Sequence, residues 1–349
     1  MSLRLVASLK AISYSLPDPV LTNQDLSECF PEWTAEKIFE KTGIRERRIA
    51  HPEQTASDLA VEAADLLFIN DQFNREDVDY LLFCTQTPDY LLPTSACLIH
   101  QRLGLRKNCA ALDLNMGCSG YIYGLSMAKA LVESGMAKCV LLLTGDTYSK
   151  LLHAEDRSVR PLFGDAATAS WIAVQESNIP LIGPVILGTD GAGADNLIVP
   201  SSACRAMGTH TSETFTDHAG LERSARHLYM DGPEIMKFTL TCIPSLCTQI
   251  LQQAKLSWDQ LDCIVFHQAN RFLLEALRKK LRIPADRFLI EMEYVGNTVS
   301  SSIPLALAIG VERGKVAGTM TIMLTGFGVG YSWGSCILRL NQQLTIMHK

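Results

Sequence analysis

The stretch Asn115-Met116-Gly117-Cys118-Ser119-Gly120 decides how the rest of this chain is read. Before it, Cys109-Ala110-Ala111-Leu112-Asp113-Leu114 reads as a short buried strand. After it, Tyr121 to Gly135 has helical spacing, with Leu125, Ala128, Leu131 and Val132 on one face. A cysteine at a strand-to-helix turn lies near the free N–H groups of the first helical turn, and their dipoles favour the nucleophilic thiolate. A buried structural cysteine is the plainer reading, since a free cysteine usually packs as a small apolar residue. The flanking glycines and the helix start single out Cys118 among the 11 cysteines.

Working outward, 349 residues suit two domains or one large α/β body. Apolar residues are 47% and charged residues 19%, enough to build a large core. A net charge of −6 argues against non-specific nucleic-acid binding by the whole surface. No cysteine pair has C-x-x-C spacing, so neither a disulfide framework nor a zinc site is expected, and a reducing cytoplasm fits. His210, His218 and His227 lie in a polar, irregular stretch without ligand spacing, so no metal is expected there. Met1 to Pro17 reads as a first strand rather than a signal peptide. No apolar run approaches the ~18 residues of a membrane span.

The second half repeats the first. Asp262-Cys263-Ile264-Val265-Phe266 follows Asp79-Tyr80-Leu81-Leu82-Phe83 by 183 residues. Asn297, expected near the opening of a helix, follows Cys118 by 179, and Gly326 follows Gly145 by 181. Such offsets indicate a duplicated unit, here 1–179 and 180–349. Alternating strands and helices imply predominantly parallel pairing, with helices covering the sheets. Duplication also places the Cys118 and Asn297 turns in equivalent positions, facing each other across a pseudo-twofold axis. Met230 to Leu256 reads as mostly helical, with Pro244 as an interruption.

Further motifs join Cys118. Phe266-His267-Gln268-Ala269-Asn270 ends a strand, Gly296-Asn297-Thr298 opens a helix, and Gly326-Phe327-Gly328-Val329-Gly330 ends another strand. The last is no dinucleotide loop, because Tyr331 to Leu338 continues as a strand. With Thr42-Gly43-Ile44-Arg45-Glu46-Arg47, Asp156-Arg157, Phe163-Gly164-Asp165 and Trp333-Gly334, they make the chain resemble the β-ketoacyl-acyl carrier protein synthase III family. The resemblance covers nearly the whole chain. It implies the thiolase fold, an α/β body of duplicated βαβαβαββ halves in five layers, α-β-α-β-α.

By that resemblance Cys118, His267 and Asn297 form a catalytic triad. Cys118 takes an acyl group from acyl-CoA, and decarboxylative condensation with malonyl-acyl carrier protein follows. The backbone N–H groups of Cys118 and Val329 form the oxyanion hole. Arg157 and Asn270 contact CoA and pantetheine. Lys237, Lys279 and Lys280 are the candidate docking residues for an acidic carrier protein, with a solvated helix face as the alternative reading. Leu92 lines the acyl pocket of the other subunit of a homodimer. No metal and no permanently bound cofactor is implied.

Three positions depart from the family pattern: Lys37 stands where an adenine-stacking tryptophan is usual, with Trp33 out of register. Pro233 replaces a pantetheine-contacting asparagine, and Gly164-Asp165-Ala166-Ala167-Thr168 replaces Gly-Asp-Gly-Ala-Gly. These departures suit a relative using a longer acyl donor or a dedicated carrier in secondary metabolism. Two other readings stand beside condensation: acyl transfer to an oxygen or nitrogen nucleophile without decarboxylation, and a non-catalytic partner subunit. The second conflicts with the retention of both Cys118 and His267.

Overall fold

The computed structural model describes residues 3–206, 214–216 and 222–349. In the first unit the main elements are β1 (Arg4–Ser15), α1 (Ala56–Phe68), β2 (Tyr80–Cys84), β3 (Ala110–Leu114), α2 (Gly120–Glu133), β4 (Cys139–Asp146) and β5 (Ala166–Ser177). The second contributes β6 (Ile182–Thr189), α3 (Gly232–Ala254), β7 (Cys263–Phe266), α4 (Arg271–Leu281), β8 (Phe288–Leu289), α5 (Ser302–Glu312), β9 (Met320–Gly328) and β10 (Ser332–Leu340). A last strand, β11 (Thr345–His348), returns to the first sheet.

The sheets run β11-β1-β5-β4-β2-β3 and β8-β7-β9-β10-β6. Setting β11 aside, the orders are the same: β1, β5, β4, β2 and β3 correspond to β6, β10, β9, β7 and β8. Helices α2 and α5 pack against strands of both sheets, while α1 covers the outer face of the first and α3 that of the second. The result is the five-layered α-β-α-β-α thiolase fold. One apolar core joins Leu9 and Ile12 of β1, Ile122 and Leu125 of α2, Leu305 and Leu307 of α5, and Val265 and Leu324 of the second sheet. Helix α1 starts where its sequence dictates: the Thr55 hydroxyl caps the Asp58 N–H and the Asp58 carboxylate accepts the Thr55 N–H.

The structure corrects several local expectations. Pairing is mixed rather than predominantly parallel, because β4–β5 and β9–β10 are antiparallel. Only Val329-Gly330-Tyr331 separates β9 from β10, too short for the crossover that parallel neighbours need. Strand β3 is not buried: it lies at the sheet edge with one neighbour, and Leu112 is 37% exposed. Helix α3 runs straight through Pro244, where the missing N–H costs one hydrogen bond without ending the helix. Asn297 does not open a helix either. A 3₁₀ turn over Val299–Ser301 separates it from α5. His210 and His218 lie outside the described residues, whereas His227 packs edge-on to His153 at 4.9 Å between ring centroids. Among the described residues no helix is long and apolar enough to cross a membrane.

Candidate active site

Chain direction aims Cys118. After β3, Met116 N–H returns to Leu114 C=O at 2.9 Å and Gly120 N–H to Gly117 C=O at 2.7 Å, so the chain turns sharply into α2. The Cys118 side chain is 6% exposed. The end of β9 comes close enough that a Cβ on Gly328 would lie 2.8 Å from Cys118 Cβ and 3.0 Å from its Sγ. Only a glycine leaves that space. Ser119 and Ser332 share a hydroxyl hydrogen bond of 2.7 Å, and Ser332 Oγ donates to Val329 C=O at 2.8 Å, fastening the β9–β10 connection to the cysteine turn.

Burial and the Asp146 carboxylate push the Cys118 thiol up to about 12, opposed by the N–H groups of Val329 and of Cys118 itself. This reverses the expected direction. The helix start does not make the resting sulfur a thiolate, because the dry surroundings and a nearby carboxylate outweigh the two N–H groups.

His267 follows β7 and is 2% exposed. Its main-chain N–H donates to Thr325 C=O at 2.8 Å, and its Nδ1 lies 2.7 Å from Ser302 Oγ at the start of α5. Burial drives the imidazole down to about 3, so the ring is neutral near pH 7. Asn297 is pinned through its backbone: its N–H donates to Leu162 C=O at 2.8 Å and its C=O accepts Gly164 N–H at 3.0 Å. Its Oδ1 accepts the Val299 N–H at 3.0 Å. Gly296 makes the approach possible with φ +73°, and a Cβ there would meet Leu162 O at 2.9 Å.

Cys118, His267 and Asn297 open onto one cavity of about 170 Å³, with Phe163, Met236 and Phe327 among its apolar walls. A mostly apolar cavity that exposes a sulfur and two neutral polar groups suits the acyl chain and thioester of a small arm.

Residues 112–191 match the family model for 3-oxoacyl-[acyl-carrier-protein] synthase III, and residues 251–340 match the model of its C-terminal part. Over 336 residues, 96% of this chain and 98% of the relative, the chain is 34% identical to a β-ketoacyl-[acyl-carrier-protein] synthase III of Caldanaerobacter subterraneus subsp. tengcongensis. The chain belongs to the β-ketoacyl-acyl carrier protein synthase III family. A crystal structure of a 3-oxoacyl-(acyl-carrier-protein) synthase III is similar with TM-score 0.94 and 50% identity, over 96% of this chain and 100% of that one. The priming β-ketosynthase of the R1128 polyketide biosynthetic pathway is similar with TM-score 0.85 and 29% identity, over 98% of each chain.

Other residues with an expected role in this synthase III chain are placed unequally. Asn270 lines the cavity and caps α4, its Oδ1 accepting the Leu273 N–H at 2.8 Å. Arg157 is not on the cavity wall; it pairs with Glu32 at 3.3 Å. Lys37 and Lys41 stand over the Trp33 ring. Lys237 is exposed on α3, next to the cavity residue Met236, and pairs with Glu234 at 3.2 Å. Lys279 and Lys280 sit exposed on the last turn of α4, at the far end of that helix from Asn270. Leu92 is 82% exposed beside Tyr90 and Leu91 and does not reach its own chain's cavity.

Four supporting residues were given no role of their own in the sequence reading. Arg47, the last residue of the 42–47 motif, is fully buried, and its guanidinium donates to Leu21 O, Asn23 Oδ1 and Pro161 O at 2.7–2.9 Å. Its Cβ lies 3.1 Å from where a Gly296 side chain would start. Ser302 holds His267 Nδ1, while Ser300 donates to the buried Asp146 at 2.5 Å.

Proposed function

We propose that this chain is a decarboxylating condensing enzyme that joins an acyl group to a malonyl unit carried on acyl carrier protein. The observation supporting it most is the meeting of Cys118, neutral His267 and Asn297 at one apolar cavity. Cys118 Sγ attacks the acyl-CoA carbonyl and the C–S bond to CoA breaks. The thiol proton leaves with the CoA thiol, and the acyl group remains as a thioester of nearly equal energy. The N–H groups of Cys118 and Val329, which already act on the sulfur, hold the transient oxyanion.

Malonyl-carrier protein then loses CO₂, and its thioester oxygen gains negative charge. With the Ser302 hydroxyl donating to Nδ1, His267 carries its proton on Nε2 and donates to that oxygen. The Asn297 amide is the second donor, its Oδ1 being occupied by Val299. Two neutral donors stabilise the enolate without protonating its carbon. That carbon attacks the Cys118 thioester, the C–S bond breaks, the departing thiolate takes a proton from water, and β-ketoacyl-carrier protein leaves.

In this reading residues 1–179 supply the nucleophile and residues 180–349 supply the histidine and asparagine. Asn270 serves the pantetheine arm and Arg157 the CoA nucleotide, once released from Glu32. Lys237, Lys279 and Lys280 receive the acidic carrier, and Leu92 completes the pocket of a second copy in a homodimer working in the cytoplasm.

The test is intact mass after incubation with acyl-CoAs of two to twelve carbons, followed by malonyl-carrier protein. Acyl adducts absent from Cys118→Ala, then converted to β-ketoacyl-carrier protein with CO₂ release, are expected. An adduct that malonyl-carrier protein leaves untouched overturns the decarboxylating step and moves the reading to plain acyl transfer.

A further inference from the structure

Asp146 ends β4 and is fully buried. Its Oδ1 accepts the Gln86 N–H at 2.8 Å and lies 3.5 Å from Thr85 Oγ1, both just beyond β2. Its Oδ2 accepts both the hydroxyl of Ser300, at 2.5 Å, and the N–H of Ser300, at 3.3 Å. One carboxylate thus ties the ends of two strands of the first sheet to the turn that carries Asn297.

That turn needs tying. Val299, between Asn297 and Ser300, has φ +52°, a left-handed conformation that a β-branched residue adopts only under constraint. The left-handed step at Val299 turns the chain on toward Ser300 and α5, while the Val299 N–H donates to Asn297 Oδ1 and Asn297 lines the cavity. Ser301 adds a second tie, with its hydroxyl 2.9 Å from Thr144 Oγ1.

We infer that Asp146 is a positioning residue for the condensation half of the cycle, holding the Val299–Ser300 backbone so that the Asn297 amide faces Cys118. The inference rests on the proposed roles of Cys118 and Asn297. Asp146 also bears on the sulfur directly, since its negative charge disfavours the Cys118 thiolate. The carboxyl itself is raised to about 7 by burial, with the Ser300 and Gln86 hydrogen bonds opposing. The other titratable groups around this pair are Cys84 of β2, Tyr148 after β4, Asp165 before β5 and His267 after β7. Among these, Asp146 is the group whose charge acts on the Cys118 sulfur and which is also hydrogen-bonded to the Asn297 turn.

Asp146→Asn and Ser300→Ala separate the two effects. The first removes the charge and keeps an acceptor. The second keeps the charge and removes the hydroxyl bond. Loading of Cys118 from acyl-CoA is followed by intact mass, and condensation of the preloaded enzyme by CO₂ release. The pH profile of Cys118 alkylation by iodoacetamide is the third readout. Both variants are expected to load Cys118 while condensing at least about tenfold more slowly. In Asp146→Asn the alkylation profile moves about one unit to lower pH, and in Ser300→Ala it stays in place.

Condensation at the wild-type rate in both variants overturns the inference, as does an equal fall of loading and condensation with an unmoved profile. Should Asp146→Asn fail to fold, the split between loading and condensation in Ser300→Ala decides alone. A wild-type chain that forms no acyl adduct overturns the reading of the site itself, and this inference with it.

Discussion

The Cys118 turn and the Asn297 turn occupy equivalent places in the two units, each between the edge strand of its sheet and a central helix, yet they are built differently. The first is ordinary backbone. Ser119 is in the right-handed helical region, and α2 begins immediately after it. Its side chain is aimed by the direction of the chain and by the absence of a Cβ on Gly328. The second departs from regular geometry at Gly296 and Val299 and needs a 3₁₀ turn before α5. Three consecutive serines hold it: Ser300 on Asp146, Ser301 on Thr144 and Ser302 on His267. A nucleophile tolerates rotation about one bond, whereas an amide donor has to point. The cysteine turn is therefore vulnerable to added atoms, and the asparagine turn to lost hydrogen bonds.

Substitutions can break that contrast. The largest effect is expected from Gly328→Ala. The new methyl displaces both the sulfur and the Val329 N–H, so acyl loading falls by on the order of 10³. Loading at the wild-type rate would mean that β9 has room to retreat. Asn297→Ala should leave loading intact and slow CO₂ release from the charged enzyme by roughly 10²–10³. If loading falls equally, the two turns do not divide the work.

Ser302→Ala is milder. It frees His267 Nδ1 and should slow condensation about tenfold, the scale of one buried hydrogen bond. The smallest effect is a curve shape. With its thiol raised to about 12, Cys118 should be alkylated ever faster as pH rises beyond 9. An ordinary thiol, with pKa near 8.5, levels off by about pH 10. A plateau near pH 8 would give the helix start the influence that burial denies it here.

Much of this was legible in the sequence. Glycines around Cys118 and the repeat offsets led to the duplicated α/β body, and the resemblance to the synthase III family led to the three residues that share the cavity. What stayed hidden depends on distant partners. Asp146 looks like any loop carboxylate until Ser300, 154 residues later, is folded against it. Nothing in a valine announces a left-handed backbone. Arg47 has no role of its own in the motif that contains it, because burial of a guanidinium is decided by the carbonyls of Leu21 and Pro161 that surround it. Strand β3 reads as interior, since an edge and a centre share the same apolar residues when the edge is short. The thiol's raised pKa follows from burial first and then from a carboxylate that no local pattern connects to it.

Strand β11 leaves its mark on how the protein is made. Residues 345–348 pair in parallel with residues 11–14 of β1, and the His348 ring stacks on Tyr14 at 5.1 Å. During synthesis from the N-terminus, every other strand of the first sheet is available before the second unit has been translated. Until residues 345–348 emerge, that flank of β1 carries unpaired N–H and C=O groups, a ready template for mispairing with another nascent chain. Closing it joins the most distant parts of the sequence, so its formation belongs to the final stage of folding.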